Sequence, residues 1–376
     1  MVAGGFRGCA WRSLSESYCL SLRGRPLRSI VVGKAAGCAV FALLLAGAGG
    51  RVPEAAASVS TESVARSSRC DQPPASALAY GWPVKPFRRQ HPVRGNFGDP
   101  RTLTSEAAFG ADTSRSPGSF TFHNGIDISA PTDTPVYPVV SGVARIGYAD
   151  EVIVATGDGR VFQYFHIRPT VRPGQRVIAY RTALGHVRPH WLHVHLTEID
   201  GFRVHNPADP GHLEPYSDHT PPQVLDLDFD GVDGRTLDPS RLRGDVLIAA
   251  NAIDTPPLPV PGVWLGHPVT PALVIWRMTA ANGRVVVPWT KVADFRHTEP
   301  PNRDFWRVYA AGSYQNFPVF GHHYYFGQPG RYLFRLTRTP LATTRLPNGE
   351  YRITVTAADI CGNHGTLNQQ IRIRNR

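Results

Sequence analysis

Three short motifs between residues 123 and 195 carry side chains that could act together at a metal ion. They are His-Asn-Gly-Ile-Asp from His123 to Asp127, Tyr-Phe-His ending at His166, and His-Val-His from His193 to His195. Two histidines and one carboxylate are a common catalytic zinc set, in which a further position is left for water or substrate. Such a set lowers the pKa of a bound water, and an additional imidazole can exchange protons near neutral pH. The motifs therefore predict a catalytic metal site.

Geometry decides which of these side chains can meet. His193 and His195 point to the same face if they lie on one strand, because strand side chains alternate between faces. His123 and Asp127 would lie about 13 Å apart on a straight strand, given a rise of roughly 3.3 Å per residue. They can share a metal only if the chain bends between them. Gly125 lies between them and permits such a bend.

The elements that must position these residues are predicted to be short strands. Frequent glycine and proline argue against a helical bundle, and we find no long amphipathic helix in the first body, residues 79–215. Asp158-Gly159 between the runs 152–155 and 161–165 predicts a hairpin. After a proline-rich break, residues 220–376 show further runs at 246–249, 272–278, 284–288, 332–337 and 351–357. The sequence thus predicts a mainly β chain with antiparallel sheets, in which the second body is an immunoglobulin-like β-sandwich.

The order and spacing of the three motifs resemble a known family. H-x-G-x-D, then Y-x-H, then H-x-H is similar to the lysostaphin-type (LytM-like) zinc endopeptidases, which cut peptidoglycan peptides. The resemblance includes the flanking segments NFGDPR at 96–101, AP at 130–131, TPV at 134–136, SG at 141–142, VRPGQRV at 171–177 and NP at 206–207. It covers roughly 120 residues in order, and this ordered combination is more specific than any single motif.

The resemblance implies a role for each motif residue. His123, Asp127 and His195 would bind Zn²⁺. His166 and His193 would orient or deprotonate the attacking water, or stabilise the oxyanion that forms from the peptide carbonyl. The implied function is hydrolysis of peptide bonds in peptidoglycan stem peptides or cross-links. The alternative is a catalytically inactive zinc-binding protein that binds the cell wall or regulates other proteins.

Two positions depart from the family pattern. Before His193 the family has a longer loop with G-x-[ST]-G, whereas this chain has the shorter HVRPHWL at 186–192. We therefore expect a change in the substrate groove rather than in the metal set. The second departure is Thr197, where the family has Glu. Glu198 lies one place later and would face the other side of a regular strand.

Two other histidines lie close to the motifs in sequence. His186 and His190 match no ligand position of the family, and we interpret them as surface or groove-lining residues. The run HHYYF at 322–326 predicts an exposed strand face, with a carbohydrate-stacking surface as the alternative.

An acidic run offers a possible calcium site. Asp226, Asp228 and Asp230 form D-x-D-x-D-G, which is how a calcium loop begins, but position twelve is Leu237 rather than Glu. The interleaved Leu227 equally fits a strand edge. Both interpretations remain open from the sequence.

The N-terminus has the pattern of an export signal. Basic residues precede the apolar run AAGCAVFALLLAGA at 35–48, and small residues follow at 55–57. The apolar run is short for a bilayer span. We expect a signal peptide over 1–57, with a retained signal anchor or a later translation start as alternatives. A linker over 58–78 would follow, and the chain would be secreted or held in the cell envelope.

Charge and cysteine content agree with export. Only Cys70 and Cys361 lie beyond the leader, and an oxidising compartment predicts that they pair, with two thiols as the alternative. The leader holds +5 of the net charge of +11, and no Lys/Arg-rich run follows it. We therefore expect no nucleic-acid partner, contact with a membrane only through the N-terminal segment, and peptidoglycan as the implied partner. The sequence leaves the oligomeric state open.

Overall fold

The computed structural model describes Cys70 and residues 78–103, 119–315, 319–320, 323–324 and 329–375. The predicted leader and nearly all of the predicted linker lie outside these residues, as does most of the aromatic run 322–326. These described residues belong to one compact unit. None of the helical segments in the described part has the length and hydrophobicity that a membrane span requires. The fold is mainly β, as predicted, and all pairings between its strands are antiparallel.

The first body consists of short strands. They are β1 (Val93–Gly95), β2 (Pro100–Leu103), β3 (Ser119–Phe122), β4 (Ile126–Ser129), β5 (Pro135–Val136), β6 (Gly142–Ile146), β7 (Glu151–Ala155), β8 (Arg160–Phe165), β9 (Ile167–Pro169), β10 (Arg176–Val177), β11 (Gly185–Val187), β12 (His193–Asp200) and β13 (Arg203–His205). The main sheet has the order β1-β4-β12-β8-β7-β6-β10, and β13 pairs with β12. A smaller sheet has the order β5-β11-β9, and β2 pairs with β3.

Strands β7 and β8 at the centre of the main sheet alternate apolar, buried side chains with more exposed ones. Val152 and Val154 of β7, and Phe162 and Tyr164 of β8, are fully buried, whereas their neighbours along each strand are more exposed. The predicted hairpin is confirmed, because β7 and β8 pair across the turn that contains Gly159. Gly159 has a φ of +93°, which glycine adopts without a steric cost.

The second body is also built from strands. They are β14 (Gln223–Gly231), β15 (Asp245–Ile253), β16 (Leu273–Ala280), β17 (Val285–Asp294), β18 (Val319–Phe320), β19 (His323–Tyr324), β20 (Leu333–Arg335), β21 (Leu341–Ala342), β22 (Gly349–Ala358) and β23 (His364–Ile373). One helical turn, α1 (Phe305–Val308), follows β17, and short 3₁₀ segments lie at Pro239–Arg241, Gly262–Trp264, Asn302–Asp304 and Thr343–Arg345. Two four-stranded sheets form, β14-β15-β20 with β21 on β15, and β17-β16-β22-β23. The immunoglobulin-like assignment of this body stays a prediction.

The acidic run lies within β14 rather than in a calcium loop. Leu227 and Phe229 are buried, and the interleaved Asp226 and Asp228 lie on the opposite, more exposed face. Asp226 accepts a hydrogen bond from Asn251 Nδ2 at 3.2 Å. The strand interpretation of this segment is therefore the one that the structure supports.

The turn after β1 is bound to the second body by buried and half-buried polar groups. Asp99 Oδ1 accepts a hydrogen bond from the Thr270 amide at 2.9 Å, and Asn96 Nδ2 donates to the Thr270 carbonyl at 3.2 Å. The Tyr309 hydroxyl donates to the Gly98 carbonyl at 2.8 Å. These groups would be costly to bury without partners, so they fix the two bodies at this turn.

The predicted disulfide is confirmed. Cys70 and Cys361 are bonded, with their Cα atoms 5.1 Å apart, and Cys361 is buried in the core of the second body. The bridge closes a chain separation of 291 residues. The loop-entropy model assigns on the order of 5 kcal/mol to a closure of this length. The bridge therefore ties the chain that precedes the first body to the second body.

Candidate metal centre

His123 and Asp127 are brought together by a bend between β3 and β4. His123 follows β3, Asp127 lies in β4, and His123 Nε2 is 3.2 Å from Asp127 Oδ1. At Gly125, a Cβ atom would lie 2.3 Å from the Leu196 carbonyl oxygen and 2.7 Å from His195 Nε2. Glycine is therefore required here because β12 passes so close. The predicted bend is confirmed, and the close approach of β12 is the physical reason for a glycine at this position.

His195 reaches the same point from the neighbouring strand. In the β4–β12 register His195 lies opposite Asp127, and its Nδ1 atom is 3.1 Å from Asp127 Oδ1 and 2.8 Å from His123 Nε2. Metal–nitrogen bonds of about 2.0 Å in a tetrahedron separate ligand atoms by about 3.3 Å, close to these values. The ligand atoms of the three buried residues lie within 4.8 Å of one another, so this group could hold a metal ion.

Hydrogen bonds behind the rings orient both histidines. His123 Nδ1 donates to the Asn96 carbonyl oxygen at 2.8 Å, because a carbonyl can only accept. Nε2 of the neutral ring is then left with its lone pair towards Asp127. His195 Nε2 lies 2.8 Å from Thr197 Oγ1, which leaves Nδ1 for a metal. Such outer partners fix the tautomer and the orientation of ligand imidazoles.

The protonation states of this group suit a cation. Burial, together with the positive charge of Arg101, lowers the pKa of His123 to about 3, so its ring is neutral at physiological pH. Burial acts to raise the pKa of Asp127, but the Arg101 guanidinium, which donates to Oδ2 at 2.7 Å, helps to hold that pKa well below the usual value. A neutral imidazole and a carboxylate anion are the forms that bind Zn²⁺.

His193 lies beside this group on the same face of β12. Its Nδ1 donates to the Trp191 carbonyl oxygen at 2.7 Å, so Nε2 keeps a lone pair. Nε2 lies 3.3 Å from Asp127 Oδ1 and 3.5 Å from Arg94 Nη2. Burial and the charge of Arg94 lower the pKa of His193 to about 3. His193 therefore presents a neutral imidazole next to the three atoms that could hold a metal ion.

His166 flanks the group from the end of β8. It has a left-handed backbone, with a φ of +64°, and its ring centroid is 4.6 Å from that of His193 and 6.4 Å from that of His195. Its Nδ1 lies 3.4 Å from Asp150 Oδ2. Burial lowers the pKa of His166, and the Asp150 carboxylate opposes that effect. The structure thus brings all five predicted site residues together.

Trp191 also lies at the candidate metal centre, although the sequence did not identify it as a site residue. Its indole stacks on the His166 ring, with centroids 3.7 Å apart and planes 9° from parallel, and 40% of its surface is exposed. Its carbonyl orients His193, so one residue contacts both flanking histidines. The signal in the sequence was the short segment 186–192, in which Leu192 has a φ of +55°. In the same segment His186 lies in β11 and His190 is exposed.

The departure at position 197 has a structural counterpart. Thr197 is fully buried and bonds to His195, whereas Glu198 points to the other face of β12, as expected. There Glu198 Oε2 accepts hydrogen bonds from the Tyr80 hydroxyl at 2.6 Å and from His212 Nδ1 at 2.8 Å. Glu198 therefore belongs to a polar network with Tyr80 and His212, on the face of β12 opposite His123, Asp127 and His195.

Comparisons with known proteins give partial alignments. No family model matches the sequence, and no curated protein matches it. Solved structures that align with part of the chain include a Pseudomonas aeruginosa protein assigned to the M23 peptidases (21% identity, 34% of this chain, 47% of that chain, TM-score 0.21), LytU (16%, 33%, 86%, 0.23) and the deep-sea M23 metalloprotease pseudoalterin (14%, 43%, 87%, 0.25). The alignment thus spans about half of the first of these proteins.

Proposed function

We propose that this chain is an exported zinc endopeptidase that hydrolyses peptide bonds in peptidoglycan stem peptides or cross-links. The observation that carries the proposal is the convergence of His123 Nε2, Asp127 Oδ1 and His195 Nδ1 on one buried point. Two further imidazoles flank that point. This is the donor set of a catalytic zinc site together with groups that can move a proton.

The chain's own residues divide the chemistry among them. When bound, Zn²⁺ supplies Lewis acidity to the site. His193 can accept the proton of the attacking water at Nε2, because its Nδ1–H is held by the Trp191 carbonyl. It can then return that proton to the leaving amine. His166 Nδ1 faces the Asp150 carboxylate, which can only accept, so Nε2 of the neutral ring can accept a hydrogen bond from the water and orient it. Only the protonated ring could also donate from Nε2 to the oxyanion.

The substrate and the location are inferred from the sequence. The ordered motifs resemble peptidases of the cell wall, and the leader has the pattern of an export signal. The Cys70–Cys361 bridge agrees with an oxidising compartment. We accordingly propose peptidoglycan as the partner and the cell envelope or the external medium as the location, with no role for nucleic acid.

The alternative is a metal-binding protein without catalytic activity. The feature that favours it is the short segment before His193, which places the Trp191 indole flat against one face of the His166 ring. A groove narrowed in this way could bind a wall peptide without cutting it. Both proposals include a metal ion bound by His123, Asp127 and His195, and they differ in whether the bound peptide is hydrolysed.

Metal analysis combined with hydrolysis of purified wall by the chain after residue 57 tests both proposals. We expect about one Zn²⁺ per chain, release of soluble wall peptides, loss of both with a strong chelator, and recovery when Zn²⁺ is restored. Zinc binding without hydrolysis would support the inactive alternative. The absence of zinc binding at neutral pH would contradict both.

Replacing Trp191 with Ala should lower turnover about tenfold while leaving zinc content unchanged. The indole holds the His166 ring by stacking, a contact worth about 0.5–1.5 kcal/mol, and 1.4 kcal/mol corresponds to a factor of ten in rate. Trp191→Phe keeps an aromatic face and should restore most of the turnover. The measurement is kcat on a soluble wall peptide, with zinc content determined in the same samples.

The matched control is Trp289→Ala in β17. Trp289 is also partly exposed and contacts a cationic side chain, with Arg277 Cζ 4.8 Å from its ring. This variant should turn over like the wild type. Equal turnover in Trp191→Ala and the wild type would show that the stacking does not position His166.

A further inference from the structure

We propose that Gln315 of the second body is a positioning residue for the metal ligand Asp127 and acts through Arg101. The inference rests on the metal set of the proposed function and concerns how that set is held. It implies that the second body is part of the metal centre and is not a separable accessory module.

The two oxygens of Asp127 have different partners. Oδ1 lies 3.1–3.3 Å from nitrogen atoms of His123, His193 and His195, whereas Oδ2 accepts a hydrogen bond from Arg101 Nη2 at 2.7 Å. The guanidinium therefore determines which oxygen faces the metal-binding point. A ligand carboxylate held in this way is preorganised, since it cannot rotate without losing a charge-assisted hydrogen bond.

Close packing shows that this contact is built into the fold. At Gly95 in β1, a Cβ atom would lie 2.7 Å from Asp127 Oδ2 and 3.0 Å from Arg101 Nη2. Any larger residue would have to displace the carboxylate or the guanidinium. The space for the Asp127–Arg101 pair therefore depends on a glycine in the neighbouring strand.

Arg101 is held in turn by a residue of the second body. Its other terminal nitrogen, Nη1, donates to Oε1 of Gln315, and Gln315 is only 4% exposed. The Gln315 amide also donates to the Arg94 carbonyl at 3.5 Å. Arg101 thus bridges the two bodies. Its Nη2 donates to Asp127 of the first body, and its Nη1 donates to the side-chain amide of Gln315 in the second body.

The residue types fit this role. Only the planar guanidinium has two donors at a spacing that can engage both partners at once, and a lysine ammonium would lack that geometry. A neutral amide at position 315 accepts a hydrogen bond without competing with Asp127 for the positive charge. Gln315 thus fixes the position of Arg101, and the anion that pairs with its guanidinium is the Asp127 carboxylate.

Zinc affinity in the disulfide-bonded chain after residue 57 tests the inference by a double-mutant cycle. Gln315→Met keeps the volume but removes the acceptor, and we expect zinc binding, measured by competition with a chromophoric chelator, to weaken about 10-fold to 100-fold. Arg101→Met should weaken it at least as much. If Gln315 acts through Arg101, adding Gln315→Met to Arg101→Met should produce no further loss.

Three controls separate positioning from general stability. Asn368→Leu removes an amide that accepts a hydrogen bond from Thr354 in the second body, and it should leave zinc affinity unchanged. Denaturant unfolding of each metal-free variant measures its free energy of unfolding. If the two substitutions weakened zinc binding only through general structural damage, their losses of zinc affinity would add in the cycle. Arg101→Lys keeps the charge and should still weaken zinc binding, which keeps the test decisive if Gln315→Met does not fold.

The contrary results are distinct. Wild-type zinc affinity in folded Gln315→Met or in Arg101→Lys, or additive losses in the cycle, would overturn the inference and leave the metal set intact. Failure of the unmodified chain to bind zinc would overturn the proposed function, and the inference with it.

Discussion

His195→Ala is expected to abolish both stoichiometric zinc binding and hydrolysis of wall peptides. The substitution removes one of the three proposed protein ligands and leaves His123 and Asp127, which are 3.2 Å apart at Nε2 and Oδ1. A catalytic zinc site commonly has three protein ligands, and two leave the ion weakly held and open to chelation. Zinc content after dialysis and release of soluble peptides from purified wall are the two measurements.

The control for this variant is His364→Ala. His364 is an exposed histidine at the start of β23, so its loss should change neither zinc content nor hydrolysis. Circular dichroism of both variants checks that they are folded. Full zinc occupancy in folded His195→Ala would show that the ligand assignment is wrong.

The local part of the site could be predicted from the sequence. The same-face placement of His193 and His195 follows from strand alternation, and the bend at Gly125 follows from the need to bring His123 to Asp127. Both rest on spacing within a few residues, where backbone geometry leaves few choices. The hairpin around Asp158-Gly159 was predictable for the same reason.

Contacts between distant segments could not be predicted in this way. Arg101 and Gln315 are 214 residues apart in sequence, and Asp150 lies 16 residues before His166. Their meeting depends on how strands from different parts of the chain are placed, and no periodicity encodes that. Trp191 was equally hidden, because its partner His166 and its neighbour Leu192 both have a left-handed backbone, which non-glycine residues rarely adopt and which no sequence pattern predicts here.

The relation between the two bodies illustrates the same limit. The sequence predicts a break near residues 219–222 and a second body of its own, and the strands on either side of that break are found. The hydrogen bonds of Asp99 and Asn96 with Thr270 are made by polar residues that in isolation look like turn formers. A polar interface of this kind has no apolar pattern in the sequence by which it could be predicted.

His193→Ala and His166→Ala are expected to retain zinc but to lose most turnover. Neither residue belongs to the set that could hold the metal, and a positioned general base or acid contributes typically about 10²–10⁴-fold to a rate. The larger loss is expected for His193, because its neutral Nε2 lies 3.3 Å from Asp127 Oδ1, at the edge of the metal group. The measurements are kcat on a soluble wall peptide and zinc content of the same samples.

An amide replacement separates proton transfer from packing at position 193. His193→Gln fills part of the buried space and can keep a hydrogen bond to the Trp191 carbonyl, but its amide does not accept a proton near neutral pH. It should therefore be as slow as His193→Ala while it retains zinc. Wild-type turnover in His193→Gln would show that His193 is not the base. Loss of zinc from the same folded variant would instead place His193 among the ligands, in which case the proton acceptor would have to be His166.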